Sequence, residues 1–242
     1  MNKNILVTGA SKGIGKQIAQ GLSKAGHNLF LTARSEDVLK NITAEISAKG
    51  YLVCDLASQE DLEKLAEFVE ENSIDILINN AGEYVYGEIE KMDYDQISRI
   101  FATNLLAPTR LCSSAVKNMK SKKWGRIINI GSISGVMGEA YASVYSSSKS
   151  GLFGLTKALA LELAEYNITV NTINPGWVET ELGLKSIEES EFSLEETLSI
   201  IPQKRFVAPQ EVEALVEYLI SENARGITGQ SINLCAGLSL GI

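Results

Sequence analysis

Short apolar runs alternate with longer stretches of helical periodicity almost to the end of this chain. The short runs are Asn4–Thr8, Asn28–Ala33, Tyr51–Cys54, Ile74–Ile78, Arg126–Ile130, Thr169–Ile173 and Ser231–Leu234. Several are apolar nearly throughout, as in Ile74-Asp75-Ile76-Leu77-Ile78, which suits central strands covered on both faces. Helical segments follow most of them, at Ile14–Ala25, Gln59–Glu71, Tyr94–Met119 and Val144–Ala164. The alternation predicts an α/β fold with a doubly wound parallel sheet of about seven strands and helices on both faces. Right-handed crossovers place the C-terminal ends of the strands, and the expected ligand crevice, on one edge. The acidic stretch Glu181–Pro202 breaks the rhythm just after Asn174-Pro175-Gly176. It reads as a substrate loop or lid over 181–202, or as a solvated surface helix.

Composition narrows the possibilities. The 242 residues are 45% hydrophobic and carry no linker, charge block or repeat, so one domain over residues 1–242 is expected. A net charge of −8 argues against nucleic acid as a partner. Met1-Asn2-Lys3-Asn4 leads straight into the first strand and no apolar run is long enough to span a bilayer. A cytoplasmic protein without a membrane partner is the expectation. Cys54, Cys112 and Cys235 are odd in number and sit in apolar or helical pattern, as reduced buried thiols do. His27 is the only histidine, so neither a Ser-His-Asp hydrolase nor a multi-histidine metal site can be assembled within the chain. No metal is expected, and acid–base chemistry falls to tyrosine, lysine or carboxylates.

Tyr145 and Lys149 stand four apart, and Ser132 precedes the tyrosine by thirteen. Residues i and i+4 share one face of a helix, which brings an ammonium near a phenol. A free tyrosine titrates near ~10, and a neighbouring cation favours the phenolate. At the other end of the chain, the first strand closes in Thr8-Gly9-Ala10-Ser11-Lys12-Gly13-Ile14-Gly15 and a helix begins at once. Such glycines let a backbone turn tightly against a pyrophosphate at the positive end of the helix. The spacing differs from Gly-x-Gly-x-x-Gly, but its place between strand and helix fits a Rossmann-type dinucleotide site. The second strand ends Thr32-Ala33-Arg34 with no acid before Glu36. With Lys12 it offers cations to a 2′-phosphate, which favours NADP(H) over NAD(H).

Gly9, Gly13 and Gly15, Asn79-Asn80-Ala81-Gly82, Ser132, Tyr145 with Lys149, and Asn174-Pro175-Gly176 together resemble the short-chain dehydrogenase/reductase family. The resemblance runs through most of the chain. It implies that Asn79, Ala81 and Gly82 close the fourth strand beneath the adenine ribose and that Asp55 meets the adenine amino group. Asp55 also reads as a helix cap before Ser58. Pro175, Gly176, Val178 and Thr180 resemble the turn that holds the nicotinamide amide and pyrophosphate. Asn104 matches the asparagine that supports a water leading to Lys149. Tyr145 would donate the proton to a carbonyl oxygen that Ser132 orients, with Lys149 lowering the phenol pKa and binding the nicotinamide ribose.

Within that family the chain looks most like 3-oxoacyl-acyl-carrier-protein reductases of fatty acid biosynthesis, through Gly131-Ser132-Ile133-Ser134-Gly135 and Ile227-Thr228-Gly229-Gln230. One departure is Glu165-Tyr166-Asn167, where carrier-binding relatives present a basic residue. Lys120, Lys122, Lys123 and Arg126 are expected to supply a basic patch near the entrance instead. Ser134 and Trp177 are candidate substrate contacts. The alternatives are a reductase of a cyclic, sugar or specialised-metabolite ketone and a non-catalytic NADP-sensing protein. The resemblance implies a homo-oligomer, usually a tetramer, pairing Tyr94–Met119 and Val144–Ala164. Ala142, Ser146, Ser147, Ser148, Gly151 and Gly154 are expected to give the second helix a small-residue surface for that contact.

Overall fold

A computed structural model describes residues 2–181, 183, 187 and 193–240. Among them, seven strands form one sheet: β1 (Asn4–Thr8), β2 (Asn28–Ala33), β3 (Gly50–Val53), β4 (Ile76–Asn79), β5 (Gly125–Ile130), β6 (Ile168–Pro175) and β7 (Ser231–Leu234). Their order is β3-β2-β1-β4-β5-β6-β7 and every pairing is parallel. The described helices are α1 (Gly13–Lys24), α2 (Glu36–Glu45), α3 (Gln59–Glu71), α4 (Tyr94–Phe101), α5 (Ala107–Lys122), α6 (Ile133–Met137), α7 (Ser143–Leu163), α8 (Leu194–Ile200) and α9 (Pro209–Ile220).

The continuous apolar runs are explained by two cores. Ile5 and Val7 face one helical layer, packing with Ile18 and Leu22 of α1, Leu39 of α2 and Val212 and Val216 of α9. Leu6 and Leu77 face the other, with Leu65 and Val69 of α3, Leu111 and Met119 of α5 and Leu163 of α7. Both faces of each central strand are thus dry, as a doubly wound parallel sheet requires. Strand order reverses between β1 and β4, which opens a crevice at their C-terminal ends.

Three local readings change. The single helix expected over Tyr94–Met119 is interrupted: Ala102–Leu106 is a π-turn between α4 and α5. Pro108 has no N–H to close the α-helical bond to the Asn104 carbonyl, so the turn opens there. Helix α2 carried too few apolar positions to be read by periodicity, since only Leu39 and Ile42 are buried. Its signals were Ser35 before Glu36 and Asp37 in the first turn. The basic patch expected at the entrance lies at the opposite edge, because α5 runs down to the N-terminal end of β5. There Arg126 is fully buried against the Trp124 ring at 4.5 Å, Lys122 pairs with Asp75 at 2.6 Å and Lys120 with Glu162 at 3.3 Å.

The turn after β1 is packed to contact. A Cβ on Gly15 would lie 2.3 Å from the Gly9 carbonyl oxygen and 2.4 Å from Asn80 Nδ2. A Gly15→Ala variant is therefore expected to lose about 1–3 kcal/mol of stability. That should lower the thermal midpoint by roughly 2–4 °C per kcal/mol in a chain of this size. An unchanged midpoint would contradict this packing.

Candidate active site

A cavity of ≈ 600 Å³ occupies the C-terminal edge of the sheet. Its floor is the β1–α1 turn. Gly9 and Gly13 adopt φ of +67° and +55°, and a Cβ on Gly9 would approach Ala81 Cα to 2.9 Å. Lys12 precedes α1 without a side-chain cap, so the first amides of the helix find no side chain there. Ser11, Lys12 and Ile14 line this floor with the two glycines, and Arg34, Asp55, Ala81 and Gly82 line the adjoining wall. Pro175, Gly176, Val178 and Thr180 at the end of β6 close the opposite side, with Trp177. Nothing among the described residues gathers three His, Cys, Asp or Glu side chains for a metal ion.

At the centre stand Ser132, Tyr145 and Lys149. Ser132 caps α6, its Oγ accepting the Ser134 N–H at 3.1 Å. Tyr145 and Lys149 lie on one face of α7, with Lys149 Nζ 5.8 Å from the Tyr145 ring centre. Lys149 is buried, and Nζ donates to the Ile130 carbonyl at 2.8 Å. Ser134 Oγ donates to Glu139 at 2.6 Å.

Three expected contacts do not line the cavity. Gly15 serves the helix–turn packing described above. Asn79 turns into the sheet, donating to Asn129 Oδ1 at 2.9 Å, because alternation along β4 points it inward. Its neighbour Asn80 lines the cavity and donates to the Thr8 carbonyl at 2.9 Å, tying β1 to β4. Asn104 is buried in the π-turn behind the wall. Its Oδ1 accepts the Glu83 N–H at 2.8 Å, and its Nδ2 donates to the Glu83 carbonyl at 2.9 Å and Ser148 Oγ at 3.0 Å. A Cβ on Gly82 would lie 3.2 Å from Lys149 Nζ and 3.4 Å from Asn104 Oδ1, so Gly82 is the thin partition between them.

The cations expected at a 2′-phosphate are already paired. Arg34 donates to Glu83 at 2.7 Å and Lys12 to Glu181 at 3.1 Å. Arg99, which sequence reasoning missed, donates to both Glu83 and Asp55. Ser58, not Asp55, caps α3; Asp55 instead accepts the Ala57 N–H at 3.1 Å. Also missed were Glu139 and the aromatic wall of Tyr84, Tyr86 and Tyr141. Of the stretch 181–202 read as a lid, Glu181, Gly183, Thr197 and Ile200 line the cavity, while 182, 184–186 and 188–192 lie outside the described residues.

A family model for short chain dehydrogenase matches residues 3–191. The chain belongs to the short-chain dehydrogenase family. It is 38% identical over 239 residues to a 3-oxoacyl-acyl-carrier-protein reductase of Buchnera aphidicola, covering 98% of this chain and 97% of that one. It is 35% identical over 254 residues to a D-beta-hydroxybutyrate dehydrogenase of Rhizobium meliloti, covering 98% of each. A variant of actinorhodin polyketide ketoreductase, solved with NADPH, superposes with a TM-score of 0.92 at 36% identity, covering 98% of this chain and 97% of that chain. The protein is thus an oxidoreductase of this family.

In this short-chain dehydrogenase burial dominates the central electrostatics. Burial pushes the Tyr145 phenol up to about 12; its hydrogen bond with Ser132 opposes this and the Glu139 charge adds to it. Burial moves Lys149 down to about 8. The ammonium is desolvated and has one carbonyl partner. For Asp55, burial raises the carboxyl, but the Arg99 bonds and the Ala57 amide outweigh it and hold it below the usual range.

An unfolded lysine keeps its proton to about 10.4, whereas Lys149 releases it near 8. The unfolded state binds more protons between those values, so stability rises with pH across that window. The Lys149 penalty at pH 7 is on the order of 3 kcal/mol. Urea unfolding of wild type and Lys149→Met at pH 7 and 9.5 should therefore show wild type gaining on the variant at the higher pH. A stability difference independent of pH would contradict the buried ammonium.

Proposed function

We propose that the chain is an NADP(H)-dependent reductase that moves a hydride between nicotinamide and a ketone or secondary alcohol, with a 3-oxoacyl thioester as the first-choice substrate. The observation that carries this is the meeting of the Tyr145 phenol, the Ser132 hydroxyl and the Lys149 ammonium beside a glycine turn, in one cavity. The site fits a dinucleotide: Gly9 and Gly13 leave a cradle that side chains would fill, and the α1 amides face it. Ser11, Gly13 and Ile14 would hold the pyrophosphate, Arg34 and Lys12 the 2′-phosphate, and Asp55, Ala81 and Gly82 the adenosine. Pro175, Gly176, Val178 and Thr180 would hold the nicotinamide end. When bound, the reduced nicotinamide supplies the hydride.

The chain's own residues manage charge and protons. Hydride arrival builds negative charge on the carbonyl oxygen, and the Ser132 hydroxyl stabilises it by hydrogen bonding. Tyr145 O–H gives its proton to that oxygen as the charge develops, and the Tyr145 phenolate serves as base for alcohol oxidation. Lys149, held by the Ile130 carbonyl, stabilises the phenolate that remains and would bind the nicotinamide ribose. Asn104 is a positioning residue that locks the Glu83 backbone and Ser148 behind Gly82. A second reading, reduction of a cyclic or aromatic ketone, is favoured by the Tyr84, Tyr86 and Tyr141 wall. A non-catalytic NADP sensor would have no use for the proton-donor constellation.

The same proposal places the enzyme in the cytoplasm, in fatty acid biosynthesis, as a homotetramer. No described helix is long and apolar enough to cross a membrane. Ala142, Ser146 and Ser148, expected on an outer face of α7, are buried within the chain, and Gly151 packs against Leu105. Ser147, Gly154 and Leu161 remain exposed at seven-residue spacing, and they support α7 as the contact in a homo-oligomer. Acyl-carrier protein stays a proposed partner without the basic patch at the entrance.

Initial rates of NADPH and NADH oxidation with a short 3-oxoacyl thioester and a panel of ketones test the reading. NADPH-dependent turnover of the thioester is expected. Turnover of ketones alone would move the protein to the second reading, and no turnover with either coenzyme would remove both. Tyr145→Phe should abolish turnover while NADPH still binds, as followed by its fluorescence; near-normal turnover would exclude Tyr145 as proton donor.

A further inference from the structure

We propose that Glu139 determines substrate specificity: the cavity selects ketones that carry a hydroxyl donor beyond the reacting carbonyl and excludes those that carry a carboxylate. This rests on the reductase reading above and favours its second substrate class, a ketone here bearing a hydroxyl, over the unsubstituted 3-oxoacyl thioester.

Glu139 lies between α6 and α7, half-buried in the cavity wall. One carboxylate oxygen accepts the Tyr84 O–H at 2.7 Å and the other accepts Ser134 Oγ–H at 2.6 Å. A carboxylate takes about four hydrogen bonds, so roughly two acceptor positions remain. Among the described residues no lysine or arginine pairs with it. The charge is therefore uncompensated in a wall otherwise built from Tyr86, Tyr141 and Met137.

Its position relative to the chemistry is fixed by two independent links. Ser134 donates to the acceptor-only carboxylate, and its Oγ accepts the Ser132 Oγ–H at 3.1 Å until a carbonyl oxygen takes that hydrogen; Ser132 shares the cavity with Tyr145. The charge thus sits two hydroxyls from the phenol that meets the carbonyl. On the other side, the Tyr84 ring stands edge-on to Tyr145 with centroids 5.0 Å apart, and burial with the Glu139 bond raises the Tyr84 phenol, keeping it a donor. A ketone seated on Ser132 and Tyr145 has this carboxylate in the adjoining wall, within the reach of its next few atoms. A hydroxyl there gains a charge-assisted hydrogen bond, whereas a carboxylate meets like charge at low dielectric. An unsubstituted chain or ring leaves the carboxylate without that bond.

The test uses a matched trio: cyclohexanone, 4-hydroxycyclohexanone and 4-oxocyclohexane-1-carboxylate, with wild type, Glu139→Gln and Glu139→Leu. For wild type, kcat/KM should be at least tenfold higher for the hydroxyketone than for the parent, and at least tenfold lower for the keto acid. Glu139→Gln should relieve the keto-acid penalty at least tenfold relative to the parent, and Glu139→Leu should also erase the hydroxyl preference. Ratios within threefold of wild type in both variants would overturn the proposal. So would a wild type that takes the keto acid as readily as cyclohexanone, a result needing no variant. Dissociation constants for the trio, from tryptophan fluorescence with NADP+ present, give the same ratios without turnover. A protein that turns over none of the three fails as a ketone reductase, and the binding ratios still decide the role of Glu139.

Discussion

The arrangement depends on one costly placement: the Lys149 ammonium, taken out of water and given a single carbonyl, that of Ile130 at the end of β5. Burial is what moves its pKa to about 8. Much of the surrounding structure keeps it there. Helix α7 brings it in register with Tyr145, the sheet delivers the Ile130 carbonyl, and Gly82 allows the β4 end to pass close to Nζ. The π-turn at Ala102–Leu106 opens where Asn104 can hold the Glu83 backbone and Ser148 at once. An interrupted helix is thus part of the support for the site rather than a defect in α4 and α5.

A second constraint is closeness at the sheet edge. Gly9, Gly15, Asn80 and Ala81 meet where strand order reverses, and Asn80 and Thr8 join the ends of β1 and β4 by side-chain bonds. The turn is therefore held by the sheet. Across the cavity Arg34, Glu83, Arg99 and Asp55 form a balanced pair of cations and carboxylates. A phosphate that reached Arg34 would compete with Glu83 for it. Because the Arg34 side of the pair is largely exposed, its own contribution to stability is small.

Most of the architecture was legible because both its signals are local. Apolar runs such as Ile74–Ile78 mark strands buried on two faces, and the four-residue step from Tyr145 to Lys149 needs only helical geometry. What escaped the sequence depends on direction or on distant partners. Asn79 and Asn80 are the same residue type, and only strand alternation decides that the second lines the cavity. Arg126 looked like surface charge until Trp124 and Glu222 enclosed it. Pro108 held the clue to the π-turn, but a proline so near a helix start usually passes unnoticed. Glu139 had no motif around it; its importance comes from Tyr84, brought near by the fold.

The central claim is that burial, with the Glu139 charge, holds the Tyr145 phenol up at about 12 in the protein alone. Its direct test is the tyrosinate absorbance of wild type minus Tyr145→Phe, titrated from pH 7 to 10.5 in the protein alone. The account predicts no difference band over that range. A band that develops below pH 9 would contradict it, and would show that Lys149 activates Tyr145 unaided.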